Sequence, residues 1–487
     1  MASASSSQIL RHRTAIGRVG LSVAARTVVE DGLLDGRTAL DYGCGRGDDV
    51  ENLRRAGYEV DGWDPYYFPL GERSAHDVVF LTYVLNTVEN APERLSTLQD
   101  AWSCTTRLLA VTTRLAWERI KVRGDAYEDG IVTSRGTFQH LFTTQELRAL
   151  SQAALGQPAV VARPGLVYVF RHDAERLRYL TRRYDLDGAG ALEDLSQALT
   201  FYEGRGRLPE AADGITDEDA TAYGRVLRRS ADPEKVAAAA KRTTIRLLLF
   251  LAMERFHGAL PWSHLSPTVQ ADVRACFGSY RHATWRASRL LGQLQDDVVL
   301  RRTMRASPGK LTPTALYVHR RALPLAPVLL RIYEECGALA AGRPTEWDVV
   351  KLHHDRRMVS WLAYPAFDRD PHPALHSSYH VDLSTLRAGL TDYDTSKNPP
   401  VLHRKEEFLT PDDPRRSTYE RLTKTEVKAG LFQHPERIGT RDGWAAELAR
   451  CGRRLKGHRL VRASRPEPDG PPATGGPAAL SRGTNSS

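Results

Sequence analysis

Cysteine is sparse in this chain of 487 residues: the five, Cys44, Cys104, Cys276, Cys336 and Cys451, lie far apart and form no Cys-x-x-Cys pair. That spacing suggests neither a zinc finger nor a disulfide framework. Long apolar runs are missing too. No stretch approaches the roughly 18 residues a membrane-spanning helix needs, and the N-terminus has no charged segment followed by an apolar one. A cytoplasmic protein with no membrane partner is expected. Charge is not strongly one-sided either: 68 Lys and Arg face 59 Asp and Glu, a formal net charge of +9. The excess favours a polyanionic partner, DNA foremost, because clustered cations gain affinity by releasing counterions from phosphates. It is spread, however, over a long arginine-rich chain.

What is present is a glycine-rich turn. Asp41-Tyr-Gly43-Cys-Gly45-Arg-Gly47 follows the apolar Thr38-Ala-Leu40, so a strand runs into a turn whose backbone N–H groups can approach a ligand with no Cβ in the way. A second short strand at 57–63 ends in Asp64, roughly 20 residues past the turn, where doubly wound folds present an acid to ribose hydroxyls. A dinucleotide site would use Gly-x-Gly-x-x-Gly. The Gly43-x-Gly45-x-Gly47 spacing instead resembles motif I of the class I S-adenosylmethionine methyltransferases. That resemblance implies S-adenosylmethionine as cofactor, Asp64 as its ribose-binding acid and Asp41 near its methionine portion.

Apolar runs at 76–83, 108–112 and 165–170 read as buried strands, and helical spacing at 92–103 and 141–155, the latter opened by Thr143 or Thr144, supplies the helices between them. Residues 10–172 are therefore expected to form a Rossmann-like α/β methyltransferase domain. Helical periodicity dominates 173–305, and short strands, turns and histidines mark a C-terminal α+β domain at 306–462. Residues 1–9 and 463–487 are small, polar or Pro/Gly-rich and are expected to be disordered.

On the acceptor side, Tyr83 and Asn86 follow the strand at 76–83, while Arg135, Gln139 and His140 lie in a polar insertion able to lid a cleft. His140, with Tyr83 and Asn86, is the catalytic candidate, being the one plausible base at neutral pH. Further along, proline-fixed loops hold Asp368, Asp370 and His372, and Asn398-Pro-Pro is followed by His403, Arg404 and Lys405. With His353, these are candidates for substrate binding, proton handling or metal binding. No two of these candidates have His-x-x-x-His spacing, and no metal is expected. Asn398-Pro-Pro-Val401 lacks the aromatic of the Asn-Pro-Pro-Tyr tetrad that grips an exocyclic base nitrogen, and neither that tetrad nor a Pro-Cys nucleophile follows residue 82.

Over nearly its whole length the chain resembles the methyltransferase family associated with DNA phosphorothioation systems. The resemblance is carried by 12–18 (His-Arg-Thr-Ala-Ile-Gly-Arg), 40–49, 133–139, Phe277-Gly-Ser-Tyr280, Asp370-Pro-His-Pro373 and Asn398-Pro-Pro400. It implies a bacterial setting and a place beside DNA-modifying enzymes. It does not identify a methyl acceptor, so a small-molecule acceptor in a biosynthetic pathway and a non-catalytic DNA-binding accessory remain the alternatives.

Overall fold

The computed structural model describes residues 9–187, 192 and 194–463. The terminal stretches expected to be disordered lie outside these residues, apart from Ile9 and Ala463. After helix α1 (Val23–Glu30), strand β1 (Thr38–Tyr42) runs into the glycine turn and α2 (Asp48–Arg55), followed by β2 (Glu59–Trp63) and β3 (His76–Thr82). Then come α3 (Ala91–Ser103), β4 (Thr105–Thr112), a small sheet of β5 (Gly124–Tyr127), β6 (Gly130–Thr133) and β7 (Phe138–Gln139), helix α4 (Thr144–Leu155), and β8 (Ala159–Arg163) with β9 (Leu166–Phe170).

The main sheet has the order β2-β1-β3-β4-β9-β8. Strands β2, β1, β3 and β4 are parallel, and β9 runs against both β4 and β8. Parallel strands must be covered on both faces, which is why β3 and β4 read as near-continuous apolar runs, and the antiparallel β9 beside them is buried on both faces as well. The chain turns from β1 to its neighbour on one side, β2, and then crosses to the other, β3. Their carboxyl ends therefore part at a switch point, the place where doubly wound sheets take ligands. Helix α4 is capped by Thr143, whose side chain accepts from Glu146 N while the Glu146 carboxylate accepts from Thr143 N, a reciprocal cap.

Beyond residue 172 follow α5 (Asp173–Arg183), then α6 to α11 (Leu195–Arg205, Asp217–Ser230, Pro233–Glu254, Pro267–Phe277, Tyr280–Gln293 and Asp297–Arg305). A second six-stranded sheet, antiparallel throughout, comprises β10 to β15 (Lys310–Leu311, Ala315–His319, Val349–His353, Met358–Ala363, Ser377–Asp382 and Arg387–Asp392). Helix α12 (Val328–Ala341) begins just after Pro327, which holds its N-cap position. Helices α13 (Arg416–Lys428) and α14 (Arg441–Arg450) and the hairpin β16 (Arg453–Leu455) with β17 (Leu460–Arg462) close the described chain.

The apolar core does not divide where composition changes. One cluster joins Val78 and Phe80 of β3 and Tyr168 of β9 to Leu177 of α5, Leu247 and Phe250 of α8, Tyr333 of α12 and Trp361 of β13. Gly342, at φ 81°, lies where a Cβ would come within 2.3 Å of Pro164 N, so the end of α12 meets the β8–β9 turn backbone to backbone. Among the described residues, no helix is long and apolar enough to cross a membrane.

Candidate functional site

Four strand ends converge on one large crevice of about 1110 Å³. Asp41 to Arg46 enter it after β1, Trp63 to Tyr67 after β2, Thr82 to Val84 with Asn86 after β3, and Arg114 with Glu118 after β4. The glycines are there for backbone reasons. Gly43, Gly45 and Gly47 have φ of 84°, 56° and 82°, a region that side chains disfavour. A Cβ on Gly43 would come within 2.5 Å of the Val84 side chain, and one on Gly45 within 3.1 Å of Ala15. Gly43 and Gly45 line the crevice; Gly47 instead faces the Phe68 ring and serves as the N-cap of α2.

Asp41 is only 4 % exposed, and its Oδ1 has no hydrogen-bond partner among the described residues. Burial, reinforced by Asp49 and Asp64 and opposed by Arg18, pushes its carboxyl up to about 8. Such a group is costly unless something supplies a donor or a positive charge. Asp64 is differently placed. Its Oδ2 accepts from Gly45 N at 3.1 Å and its Oδ1 from Tyr66 N and Tyr67 N, both at 2.9 Å. The acid thus ties the β2 turn to the glycine turn, and its carboxylate, with about four lone-pair sites, keeps capacity for a further donor.

The floor beyond β3 carries strain and an orphan. Tyr83 adopts φ 58°, an uncommon conformation for a bulky residue, and burial raises its hydroxyl pKa. Asn86 is 1 % exposed; its Nδ2 donates to Gln139 Oε1 at 3.0 Å while its Oδ1 has no partner among the described residues. Tyr83, Asn86 and Gln139 all line the crevice.

Two other acceptor-side candidates do not. His140 is turned away from the crevice: its Nδ1 meets Asp129 O at 2.7 Å and the Asp129 carboxylate at 3.4 Å, and its ring packs edge-on against Phe142. The role of general base therefore does not fit it. Arg135 is exposed in the bend between β6 and β7, where its backbone N–H donates to Thr133 Oγ1, and does not line the crevice.

The C-terminal candidates gather elsewhere. His372 Nε2 meets Glu426 Oε1 at 2.7 Å and His372 Nδ1 meets His403 Nδ1 at 2.8 Å, while His403 Nε2 bonds Ile438 O at 2.6 Å. Trp444 packs on both rings. Lys405 is 2 % exposed and donates to Phe367 O, Asp370 O and His458 Nε2, so all three of its N–H groups are used. Burial draws Lys405 down to about 7 and His403 down to about 3. Asp368 pairs with Arg415 and Arg321, Arg404 with Glu407, and His353, on β12, is buried beside Arg356 and Asp355. None of these groups lines the crevice. A polyanion-facing role does not fit Lys405 or His403, because each is turned inward and saturated. Lys405→Met should instead strand two backbone carbonyls, at about 1–3 kcal/mol each. A thermal melt should show Tm falling by several degrees, with retention on a heparin column unchanged.

The second sheet packs against the segment after β4 that carries Glu118. Trp117, beside Glu118, meets Tyr379 of β14 edge-on, ring centroids 5.2 Å apart.

The segment that sequence reasoning left out of the site is the one before α1. Residues 9–22 form a strap across the crevice, pinned at several points. Leu10 N donates to Gly136 O at 2.8 Å, the Arg11 guanidinium pairs with Glu89 and Glu93, and His12 stacks on Tyr66 at 4.1 Å. Arg18 N donates to Asp48 Oδ2 and Ser22 N to Asp49 Oδ1, each at 2.7 Å. The only sequence signal was that 12–18 and Asp48-Asp49 belonged to the family resemblance.

No protein-family model matches the chain, and no curated protein matches it. Solved structures do. A magnesium protoporphyrin IX methyltransferase from Synechocystis with bound S-adenosylmethionine is 17% identical over 30% of this chain and 76% of its own, with a TM-score of 0.23. A 1,6-didemethyltoxoflavin-N1-methyltransferase from Burkholderia thailandensis, bound to its substrate and S-adenosylhomocysteine, is 14% identical over 30% of this chain and 79% of its own, with a TM-score of 0.22. A methyltransferase from Streptomyces caelestis is 13% identical over 33% of this chain and 93% of its own, with a TM-score of 0.24.

Proposed function

We propose that this chain is an S-adenosylmethionine-dependent methyltransferase acting on a small molecule. The observation that carries the reading is Asp41, a buried carboxylate with one oxygen unpartnered, lying just before a left-handed glycine turn at the sheet's switch point. The turn suits a nucleoside, the carboxylate suits an ammonium group, and S-adenosylmethionine carries both. When bound, that cofactor supplies a methyl group on a sulfonium, open to in-line displacement.

The chain's own residues do the positioning. Asp64 holds the turn against β2 and offers its remaining lone pair to a ribose hydroxyl. Asp41 takes the ammonium. Asn86 Oδ1, the orphan acceptor in the crevice floor, is placed to receive the N–H or O–H of a nucleophile and to orient it. Base help is scarce, because Glu118 already accepts from Leu115 N and from Arg114 Nε. That scarcity favours an acceptor needing little of it, such as an amine, a phenol or a thiol.

A strap over the crevice and inward-facing basic loops favour a small molecule over a duplex, in which the target base would have to be flipped out. Modification of DNA is the second reading, favoured by the net charge of +9 and by the family resemblance. Purified protein incubated with methyl-tritiated cofactor, and separately with metabolite extract or DNA, separates them. Label should enter the small-molecule fraction and be lost in Asp41→Ala. Label in DNA alone would reverse the assignment.

A further inference from the structure

Among the described residues, Arg18 is a cation without a counter-ion. Its backbone is fixed, since its N–H donates to Asp48 Oδ2 at 2.7 Å, yet its side chain forms no hydrogen bond or ion pair among the described residues. Its guanidinium lies over the Tyr83 ring, 5.4 Å from the centroid, and lines the same crevice as Asp41. The two groups are close enough to influence each other, since Arg18 lowers the Asp41 pKa, but they do not pair. A half-buried Arg and a buried Asp that face one crevice while staying apart are matched to a ligand carrying both charges.

We propose that Arg18 is the carboxylate receptor of the crevice, and that with Asp41 it reads the α-amino-acid zwitterion of the cofactor. This rests on the S-adenosylmethionine reading above. It also gives a purpose to the acids opening α2. Asp48 and Asp49 do not touch the ligand through this scheme; they bond Arg18 N and Ser22 N and so hold the strap where the guanidinium overlies the crevice. Arg18 is in this sense a binding residue that selects for the amino-acid end of the cofactor, and a lysine at the position would keep the charge but lose the bidentate fork.

Calorimetry with two probes tests it on the full chain. S-adenosylhomocysteine carries the amino acid; 5′-methylthioadenosine keeps the nucleoside and thioether and lacks it. Arg18→Gln should weaken S-adenosylhomocysteine by about 10- to 100-fold, the span of a lost charge-assisted bond, with methylthioadenosine within about twofold of wild type. Arg18→Lys should fall between. Equal weakening of both probes would mean that Arg18 acts through the strap's shape, and no weakening of either would mean that it meets no carboxylate; each overturns the proposal while wild-type binding leaves the cofactor reading intact. Wild-type protein that binds neither probe would remove the cofactor reading and the proposal with it.

Discussion

Gly43→Val is expected to abolish binding of S-adenosylhomocysteine while leaving a folded protein. Two effects act together. At φ 84° a β-branched residue is strained, and its Cβ would come within 2.5 Å of the Val84 side chain in the turn after β3. The backbone must then retreat or Val84 must move, and Val84 follows Tyr83, itself held at φ 58°. Both walls of the crevice shift at once. A loss of at least 100-fold by calorimetry, with far-UV circular dichroism unchanged, is the expected result. Gly47→Ala is the useful contrast. It meets only the Phe68 ring, at 3.2 Å, and does not line the crevice, so it should lower Tm through its φ of 82° more than it lowers affinity.

The second large effect is a pH dependence centred on Asp41. Its carboxyl, raised to about 8 by burial and by Asp49 and Asp64 against the pull of Arg18, holds a proton at neutral pH. An arriving ammonium favours the ionised form, so binding releases that proton. Affinity for S-adenosylhomocysteine should climb by up to about tenfold per pH unit below 8, the linkage limit for one proton, and level off above it. Calorimetry in buffers of different ionisation enthalpy counts the proton directly. Stability has the opposite sign. Between the ordinary carboxyl value of 3.8 and about 8, the folded chain holds a proton that the unfolded chain has lost, so the Asp41 contribution to stability falls as pH rises across that window. Asp41→Asn should remove the slope, giving a higher Tm than wild type at pH 8 and an affinity weakened by about 1.5–3 kcal/mol, the worth of a hydrogen bond to a charged group.

The sequence shows the glycine turn and its acids plainly because their chemistry is local. Left-handed turns favour glycine, and Asp41 and Asp64 stand at the ends of β1 and β2. The inner strands β3 and β4 of the main sheet are legible for a similar reason, being apolar on both faces. Strand β14, Ser377–Asp382, is not, because only Tyr379 and Val381 face the core and the rest is Ser, His and Asp. Lys405 misleads in another way. A lysine in a polar loop ordinarily faces water, and nothing nearby in sequence announces that Phe367 O, Asp370 O and His458, 38, 35 and 53 residues away, will enclose it. Arg18 belongs to a strap whose regular structure is a single 3-10 turn, Arg11–Thr14, and it is placed by Asp48 across 30 residues of chain. A polar insertion offers His140 as a base, but tertiary contact with Asp129 decides its orientation instead.

The most direct test is equilibrium binding of S-adenosylhomocysteine to the wild-type protein, with ATP and NAD as competitors. One molecule should bind per chain, displaced by S-adenosylmethionine but by neither competitor, because only the S-adenosyl ligand offers an ammonium to Asp41 beside a nucleoside at the glycine turn. Binding of ATP or NAD in its place, with S-adenosylhomocysteine unbound, would contradict the account.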